Sequence, residues 1–141
     1  MQIQRVQQVQ PWIGRPETEA IEACLERNWL TEGPAAAAFR QNLGQLTGSP
    51  HISFAPNGTL GLFLALLALD LPRGSEIIIP GFTFMASASA AVFAGLKPVL
   101  IDVDPNTFSA RPEAFERAIT SRTSALMPVH IYGQAANAAE I

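Results

Sequence analysis

The sequence predicts an α/β fold, in which helices cover both faces of a mostly parallel β-sheet. Two observations predict it. The strand-like segments, such as EIIIP at 76–80, are continuous apolar runs instead of alternating ones, which is typical of strands buried on both faces. From residue 76 onward, strand and helix patterns also alternate along the chain, as they do in layered α/β folds.

The first third of the chain predicts two helices and one short strand. Residues 17–28 have Ile21 and Leu25 on one helical face. Pro34 suits a first helical position, so a second helix is expected over about 34–47, ending near Gly48. The run HISFA at 51–55 predicts a strand.

The segment after Thr59 is a helix pattern that is apolar on all sides. Such a helix is expected to be buried instead of amphipathic. The apolar run Leu60–Leu71 is 12 residues long, whereas a membrane span needs about 20. The segment therefore predicts a core helix and no membrane span.

The remaining segments complete the alternating pattern. Pro128 lies inside the last predicted strand, where it would remove a ladder donor. The turn signal Asp104-Pro105-Asn106 closes the second strand. The predicted elements are strand 76–80, helix 83–95, strand 98–104, helix 111–119 and strand 125–133.

Composition excludes several classes of protein. The net charge of −3 and the lack of a basic stripe argue against a nucleic-acid partner. A lone Cys24 and an N-terminus without an apolar signal sequence favour a cytoplasmic protein. No composition shift divides the chain, so one domain is expected. The final AANAAEI reads as the start of an uncapped helix, which predicts an N-terminal piece of a longer protein.

Asn57-Gly58-Thr59 opens the apolar helix and is the first candidate site. A helix N-terminus offers unpaired N–H groups and the positive end of the helix dipole, which together attract anions. Gly58 would let a phosphate approach the backbone, and Thr59 adds a hydroxyl. The alternative is that Asn57 only caps a buried helix.

Two further candidates follow later strands. Phe84, in PGFTFMAS, could stack on a flat ring, or Phe82 and Phe84 could be ordinary core residues. His130, in PVHIYG, could bond a ligand or a neighbouring turn. Two histidines and one cysteine, widely spaced, predict no metal site.

Five stretches in order carry a family resemblance. WLTEGP, NGT before a leucine-rich helix, GSEIIIPGFTFMAS, KPVLIDVDPNTF and AITSRTSALMPVHIYGQ resemble the DegT/StrS family of sugar aminotransferases. Their cofactor is pyridoxal 5′-phosphate. The resemblance implies the aspartate-aminotransferase-like major domain of type I pyridoxal-phosphate enzymes, a three-layer sandwich that is truncated here: residues 1–141 would be its N-terminal part.

The resemblance also implies roles for individual residues. Gly58 and Thr59 match the turn that holds the cofactor phosphate, and Phe84 matches the aromatic residue that stacks on the pyridine ring. Trp29 and Thr31 match a loop near the active-site mouth, and His130 matches a segment on the cofactor side of the sheet, so these three are expected on the substrate side.

The implied reaction moves an amino group, with glutamate as the expected donor, to a keto group of a nucleotide-linked deoxysugar for polysaccharide or glycoside biosynthesis. The implied full-length enzyme is a homodimer. Its Schiff-base lysine and the aspartate that pairs with the pyridine nitrogen would lie beyond residue 141, so no catalytic residue is expected here and the piece alone is expected to be inactive.

The single lysine, Lys97, precedes a strand and is expected at the amino end of the sheet, away from the ligand. Two alternatives stay open at this point. One is a lysine-lacking relative that acts as a sugar dehydratase. The other is a non-catalytic module for ligand binding or dimerisation.

Overall fold

The computed structural model describes residue 7, residues 9–29 and residues 31–141. The chain forms two compact units, Met1–Ser53 and Phe54–Ile141, and each is described by itself. The sequence has no composition shift at this boundary. The assignment of the whole chain to one major domain of a larger enzyme stays a prediction.

The first unit contains two helices whose ends follow their local signals. Helix α1, Arg15–Glu26, begins two residues earlier than predicted, and the Glu17 carboxylate accepts a hydrogen bond from the Gly14 N–H (2.7 Å). Helix α2, Pro34–Thr47, has the predicted bounds, with Gly48 in the left-handed conformation (φ 71°) after it. The proline and glycine signals therefore located α2 correctly.

The strand predicted at 51–55 is wrong. Residues 51–55 form no strand, since they pair with no neighbouring strand in the described part of the chain. A β-prone run forms a strand only when a partner accepts its backbone hydrogen bonds.

The second unit is built on a parallel sheet of three strands, β1 (Glu76–Pro80), β2 (Lys97–Ile101) and β3 (Thr123–Leu126), in the order β2-β1-β3. The central strand β1 is buried throughout, and Ile78 lies opposite Val99 on one side and Leu126 on the other. The predicted α/β class with a parallel sheet is confirmed. Its elements are α3 (Gly58–Ala68), β1 (Glu76–Pro80), α4 (Ala86–Phe93), β2 (Lys97–Ile101), α5 (Pro112–Ala118), β3 (Thr123–Leu126) and a 3-10 turn (Ile131–Gly133).

Hydrophobic clusters cover both faces of this sheet. Ile77 and Ile79 pack with Leu66 of α3 and with residues of α4. Ile78, whose side chain points to the other face, packs with Phe115 of α5. Both faces of β1 are therefore covered, as its continuous apolar run predicted.

Several predicted bounds in this unit were too long. The last strand ends at Leu126 instead of residue 133, because Pro128 has no N–H to donate to the ladder. The second strand ends at Ile101 instead of 104, and α4 covers 86–93 instead of 83–95. Strand β1 and helix α5 agree with the sequence to within one residue at each end.

Helix α3 is not buried on all sides, which corrects the prediction from its composition. Leu66 is the buried residue of this helix among the described residues, whereas Leu64 and Leu67 are 45% and 49% exposed. An apolar sequence shows that a surface can be buried but not which segment covers it. None of the helices in the described part of the chain combines the length and hydropathy that crossing a membrane requires.

Candidate functional site

The N-terminus of α3 is capped and still has free donors. Asn57 is extended (φ −162°), and its Oδ1 accepts a hydrogen bond from the Leu60 N–H at 3.0 Å. The capping role is therefore confirmed. The cap serves the third helical residue, so among the described residues the N–H groups of Gly58 and Thr59 have no acceptor.

The space in front of Gly58 is open. A Cβ built on Gly58 would meet no heavy atom within 4 Å, and the residue is exposed. Its φ lies outside the left-handed range, so the backbone does not require glycine here. Two free N–H groups, the Thr59 hydroxyl and the helix dipole fit a phosphate group that approaches this turn.

Phe84 lies in the loop that follows β1, and its side chain is 79% exposed. The alternative that Phe84 is a core residue is therefore wrong. The loop around it is held by backbone bonds, since Gly81 N–H donates to Ile101 O (2.8 Å) and Ser87 N–H donates to Phe84 O (3.1 Å). An exposed ring on a fixed loop can offer its face to another flat ring.

The two parts of this site belong to one edge of the sheet. Helices α3 and α4 pack against each other. The turns that follow them meet at the amino ends of β1 and β2, where Gly74 N–H donates to Gly95 O (2.8 Å). The beginnings of both helices therefore lie toward the carboxyl edge, where Phe84 follows β1. Ligands of open parallel sheets bind at this edge.

His130 follows β3 and is partly engaged. Its Nδ1 accepts a hydrogen bond from the Ala136 N–H at 2.9 Å, which agrees with the neighbouring-turn alternative. In the neutral ring Nε2 then carries the proton and can donate it to a ligand. The side chain is exposed, and the substrate-side role of His130 stays a prediction.

Trp29 and Thr31 belong to the first unit, whereas Gly58, Thr59, Phe84 and His130 belong to the second. The indole N–H of Trp29 donates to the Glu32 carbonyl at 2.8 Å. The indole also occupies the space in which a Cβ at Gly33 would lie. Position 30 of the predicted loop lies outside the described residues, and the roles of Trp29 and Thr31 stay predictions.

Lys97 lies at the opposite edge of the sheet. It is the first residue of β2, and its Nζ is 3.7 Å from Glu76 Oε1. The predicted amino-end placement is confirmed. Glu76 is only 2% exposed, and hydrogen bonds from the Thr120 hydroxyl and the Arg122 guanidinium hold its pKa below the usual value. The lysine therefore belongs to an ion-pair cluster away from Phe84.

Asp104 organises the turn after β2, as the sequence predicted. Its Oδ1 accepts hydrogen bonds from the N–H groups of Asn106 (2.7 Å) and Thr107 (3.2 Å), and its Oδ2 pairs with Arg111. The Asn106 bond is the main cause that lowers the pKa of this carboxyl, and the Arg111 bond adds to it. This carboxylate is fully engaged within the turn and Arg111.

Sequence reasoning missed a cluster of three rings at the carboxyl edge. We call Phe82, Phe108 and Tyr132 the aromatic cluster. Their ring centroids lie 5.3 Å (Phe82–Phe108), 6.1 Å (Phe82–Tyr132) and 6.4 Å (Phe108–Tyr132) apart. Each ring follows a different strand, and this shared position is the signal that could have found them. In the described ranges no group of three or more His, Cys, Asp or Glu side chains could hold a metal ion.

Comparison with known proteins identifies the family of the chain. Residues 11–141 match the sequence profile of the DegT/DnrJ/EryC1/StrS aminotransferase family. The chain belongs to this family. The cofactor of the family is pyridoxal 5′-phosphate, and solved structures of similar proteins hold it or its amino form, PMP.

Solved structures of similar proteins share the fold over the part that matches this chain. A Streptococcus pneumoniae protein described as a sugar aminotransferase, solved in PMP and PLP forms, matches 92% of this chain with 29% identity and a TM-score of 0.84. NtdA from Bacillus subtilis, with bound PMP, matches 92% with 31% identity and a TM-score of 0.83.

A third structure is an enzyme of different activity. The E. coli GDP-4-keto-6-deoxy-D-mannose-3-dehydratase, with bound hydrated PLP, matches 93% of the chain with 24% identity and a TM-score of 0.85, a likeness of fold alone. This chain spans about a third of the length of the structures that it matches, namely 33%, 31% and 35% of the three.

Proposed function

We propose that this chain supplies the phosphate-binding turn and the ring-stacking residue for pyridoxal 5′-phosphate in a sugar aminotransferase. One observation carries the proposal: two N–H groups without acceptors in the described chain, at Gly58 and Thr59, lie at the same sheet edge as the exposed ring of Phe84. A cofactor with an anionic tail and a flat ring needs these two features together.

The residues of the chain would bind and orient the cofactor. Asn57 fixes the first turn of α3, so that the N–H groups of Gly58 and Thr59 point outward and bind the phosphate. Phe84 covers one face of the ring and limits its tilt. When bound, the cofactor supplies the electron-accepting ring on which amino transfer depends.

The substrate in this proposal is a keto group on a nucleotide-linked deoxysugar, and the amino donor is glutamate. The product would serve polysaccharide or glycoside biosynthesis in the cytoplasm, and the enzyme would work as a homodimer. The family and its sugar aminotransferase members support the sugar substrate. Trp29, Thr31 and His130 are the proposed substrate-side residues.

Dehydration of a keto-deoxysugar is the second candidate function, because the chain also shares its fold with the E. coli dehydratase. The product distinguishes the two reactions. An aminotransferase adds a nitrogen to the sugar and consumes one amino donor for each turnover, whereas a dehydratase removes an oxygen and adds no nitrogen.

The phosphate assignment is tested by Gly58→Asp in the full-length enzyme that carries this chain. A carboxylate at Gly58 would lie against the phosphate. A repulsion of about 1–4 kcal/mol, expected for like charges about 4 Å apart in solvent-exposed surroundings, should raise the dissociation constant for pyridoxal phosphate by about fivefold to several hundredfold. Fluorescence titration of the apoenzyme measures this constant.

Gly14→Asp provides the control, because Gly14 is also a glycine at a helix start: it is the N-cap of α1, whereas Gly58 is the first residue of α3. It should leave cofactor affinity unchanged. Thermal unfolding of Gly58→Asp should stay close to that of the wild type, since the site has open space. If Gly58→Asp binds the cofactor as tightly as the wild type, the phosphate is bound elsewhere.

A further inference from the structure

The aromatic cluster joins the three loops that follow β1, β2 and β3. Phe82 comes from the first loop, Phe108 from the second and Tyr132 from the third. Each ring contacts the other two, and two of the three pairs are edge-on, with interplanar angles of 62° and 86°. The cluster therefore connects neighbouring loops at the edge where Phe84 lies.

Two of the three rings are attached to unusual backbone. Phe108 (φ 58°) and Tyr132 (φ 52°) both adopt the left-handed conformation, which residues with a side chain rarely take. Such residues persist where their surroundings hold them, and they are frequent at binding sites. In the first case the Phe108 N–H donates to the Asp104 carbonyl at 2.7 Å, within the turn that Asp104 organises.

The cluster buries its rings only in part. Phe82 is 39% exposed, Phe108 44% and Tyr132 75%. Burial of apolar surface alone is therefore a weak reason for three aromatic residues to meet here. Holding the loops in a fixed geometry explains both the ring contacts and the left-handed backbone.

Phe84 needs such support, because its own side chain is exposed. Its direction depends on the loop backbone on either side. Before it in the chain, Phe82 is anchored in the aromatic cluster. Around it, the hydroxyl groups of Thr83 and Ser87 form a hydrogen bond of 2.8 Å that spans Phe84. Phe84 therefore lies inside a closed turn that is attached to the cluster at its start.

We infer that Phe108 and Tyr132 are positioning residues, which act through Phe82 to hold Phe84 in the orientation that stacks on the cofactor ring. The inference rests on the proposed function. It extends the cofactor site to the loops after β2 and β3, whose side chains hold Phe84 through Phe82 instead of touching the cofactor. Loss of a ring from the cluster would leave Phe84 present but free to tilt.

The test is a double-mutant cycle in the full-length holoenzyme. Phe84→Ala and Phe108→Ala should each raise the dissociation constant for pyridoxal phosphate about two- to tenfold, the range expected for one aromatic stack. The double variant should bind the cofactor no more weakly than Phe84→Ala alone, since Phe108 acts only through Phe84. Phe108→Tyr keeps the ring and should restore wild-type affinity.

Phe93→Ala is the matched control. Phe93 is also exposed (62%) and makes one edge-on ring contact, with Phe63 at 6.3 Å, but it lies at the end of α4 nearer the amino edge. It should leave cofactor affinity and the visible circular dichroism of the bound cofactor unchanged. Phe108→Ala should alter this dichroism, because the signal depends on how the ring is held.

Hydrogen exchange supplies a readout that does not depend on the cofactor. In apoenzyme carrying Phe108→Ala, the amides of residues 84–87 should exchange faster than in the wild type, by about the same factor as the loss of affinity. Unchanged exchange in this segment would overturn the inference. The inference would also be overturned if the effects of Phe84→Ala and Phe108→Ala on the free energy of cofactor binding were additive in the double variant.

The cycle separates this inference from the proposed function. If Phe84→Ala weakens cofactor binding and Phe108→Ala does not, the positioning role is wrong and the cofactor site stands. If the full-length wild-type enzyme does not bind pyridoxal phosphate, or Phe84→Ala binds it normally, the proposed function fails in whole or in part and the positioning role fails with it.

Discussion

The two edges of the sheet in the second unit use their polar groups in opposite ways. At the amino edge, the buried Glu76 carboxylate is engaged by Thr120, Arg122 and Lys97. At the carboxyl edge, the Gly58 and Thr59 N–H groups have no acceptor among the described residues, and Phe84 is exposed. The amino edge of the sheet thus carries a carboxylate that is paired with residues of this chain. The carboxyl edge carries N–H groups and an aromatic ring that remain accessible to a ligand.

The contrast is local even within the carboxyl edge. Asp104, which follows β2, is as fully engaged as Glu76, through Asn106, Thr107 and Arg111. Unpartnered groups among the described residues include the N–H groups at the start of α3 and the Ser109 hydroxyl after β2. Groups that stabilise the fold mostly have partners inside the chain, so those left without one are candidates for ligand contacts.

Ile78→Ala should have the largest effect, because Ile78 supports both edges. Its side chain is fully buried in the central strand, and such truncations cost about 2–5 kcal/mol. Urea unfolding should show this loss, with cofactor affinity reduced as a consequence. Val92→Ala, at an exposed position of α4, should cost under about 0.5 kcal/mol. Equal effects of the two variants would contradict the assigned core.

Glu76→Gln should change how stability depends on pH. The pKa of Glu76 is lowered in the folded protein from its ordinary 4.5, so its stabilising contribution is fully present above that value. The contribution is lost as the pH falls through the lower, folded-state pKa. The melting temperature of the variant should therefore lie below that of the wild type at neutral pH, and the gap should narrow in acid.

A control for Glu76→Gln is Glu116→Gln, at an exposed position of α5. It should change the melting temperature little at any pH. A gap between Glu76→Gln and the wild type that stays constant from neutral pH into acid would show that the carboxylate charge is not what stabilises the amino edge. Glu76→Gln should bind the cofactor as tightly as the wild type, since Glu76 lies at the edge away from Phe84.

Substitutions of Asn57 should have the smallest effect on stability. They also distinguish the role of Asn57 in folding stability from its role in binding the cofactor. Asn57→Ala removes the cap of α3 and should cost about 1 kcal/mol. Asn57→Asp keeps a capping oxygen and should keep stability, but its charge should weaken binding of the cofactor phosphate. Chemical denaturation and cofactor titration measure the two properties. Equal cofactor affinity for Asn57→Asp and the wild type would argue against a phosphate at this turn.

Sequence reasoning succeeded where the signal is local. Pro34 and Gly48 gave the bounds of α2, and the run Glu76–Pro80 gave β1. It failed where the structure of a segment depends on which other segments of the chain pack or pair with it. Residues 51–55 have strand propensity but no neighbouring strand in the described chain, and α3 has apolar residues on faces that its neighbours here leave exposed.

The candidate site was predictable in part for the same reason. The free N–H groups at Gly58 and Thr59 follow from their position at a helix start, and the exposure of Phe84 follows from its place after a strand. The aromatic cluster was not predictable from spacing, because Phe82, Phe108 and Tyr132 are 26 and 24 residues apart and meet only through the register of the sheet.

The division into two units gives each its own fluorophore. Both tryptophans, Trp12 and Trp29, lie in the first unit, and the single tyrosine, Tyr132, lies in the second. Within this chain, emission excited at the red edge of the indole band arises only from these two tryptophans. Tyrosine emission, by contrast, arises from the aromatic cluster. Unfolding of each unit can therefore be followed separately by intrinsic fluorescence, without an attached dye.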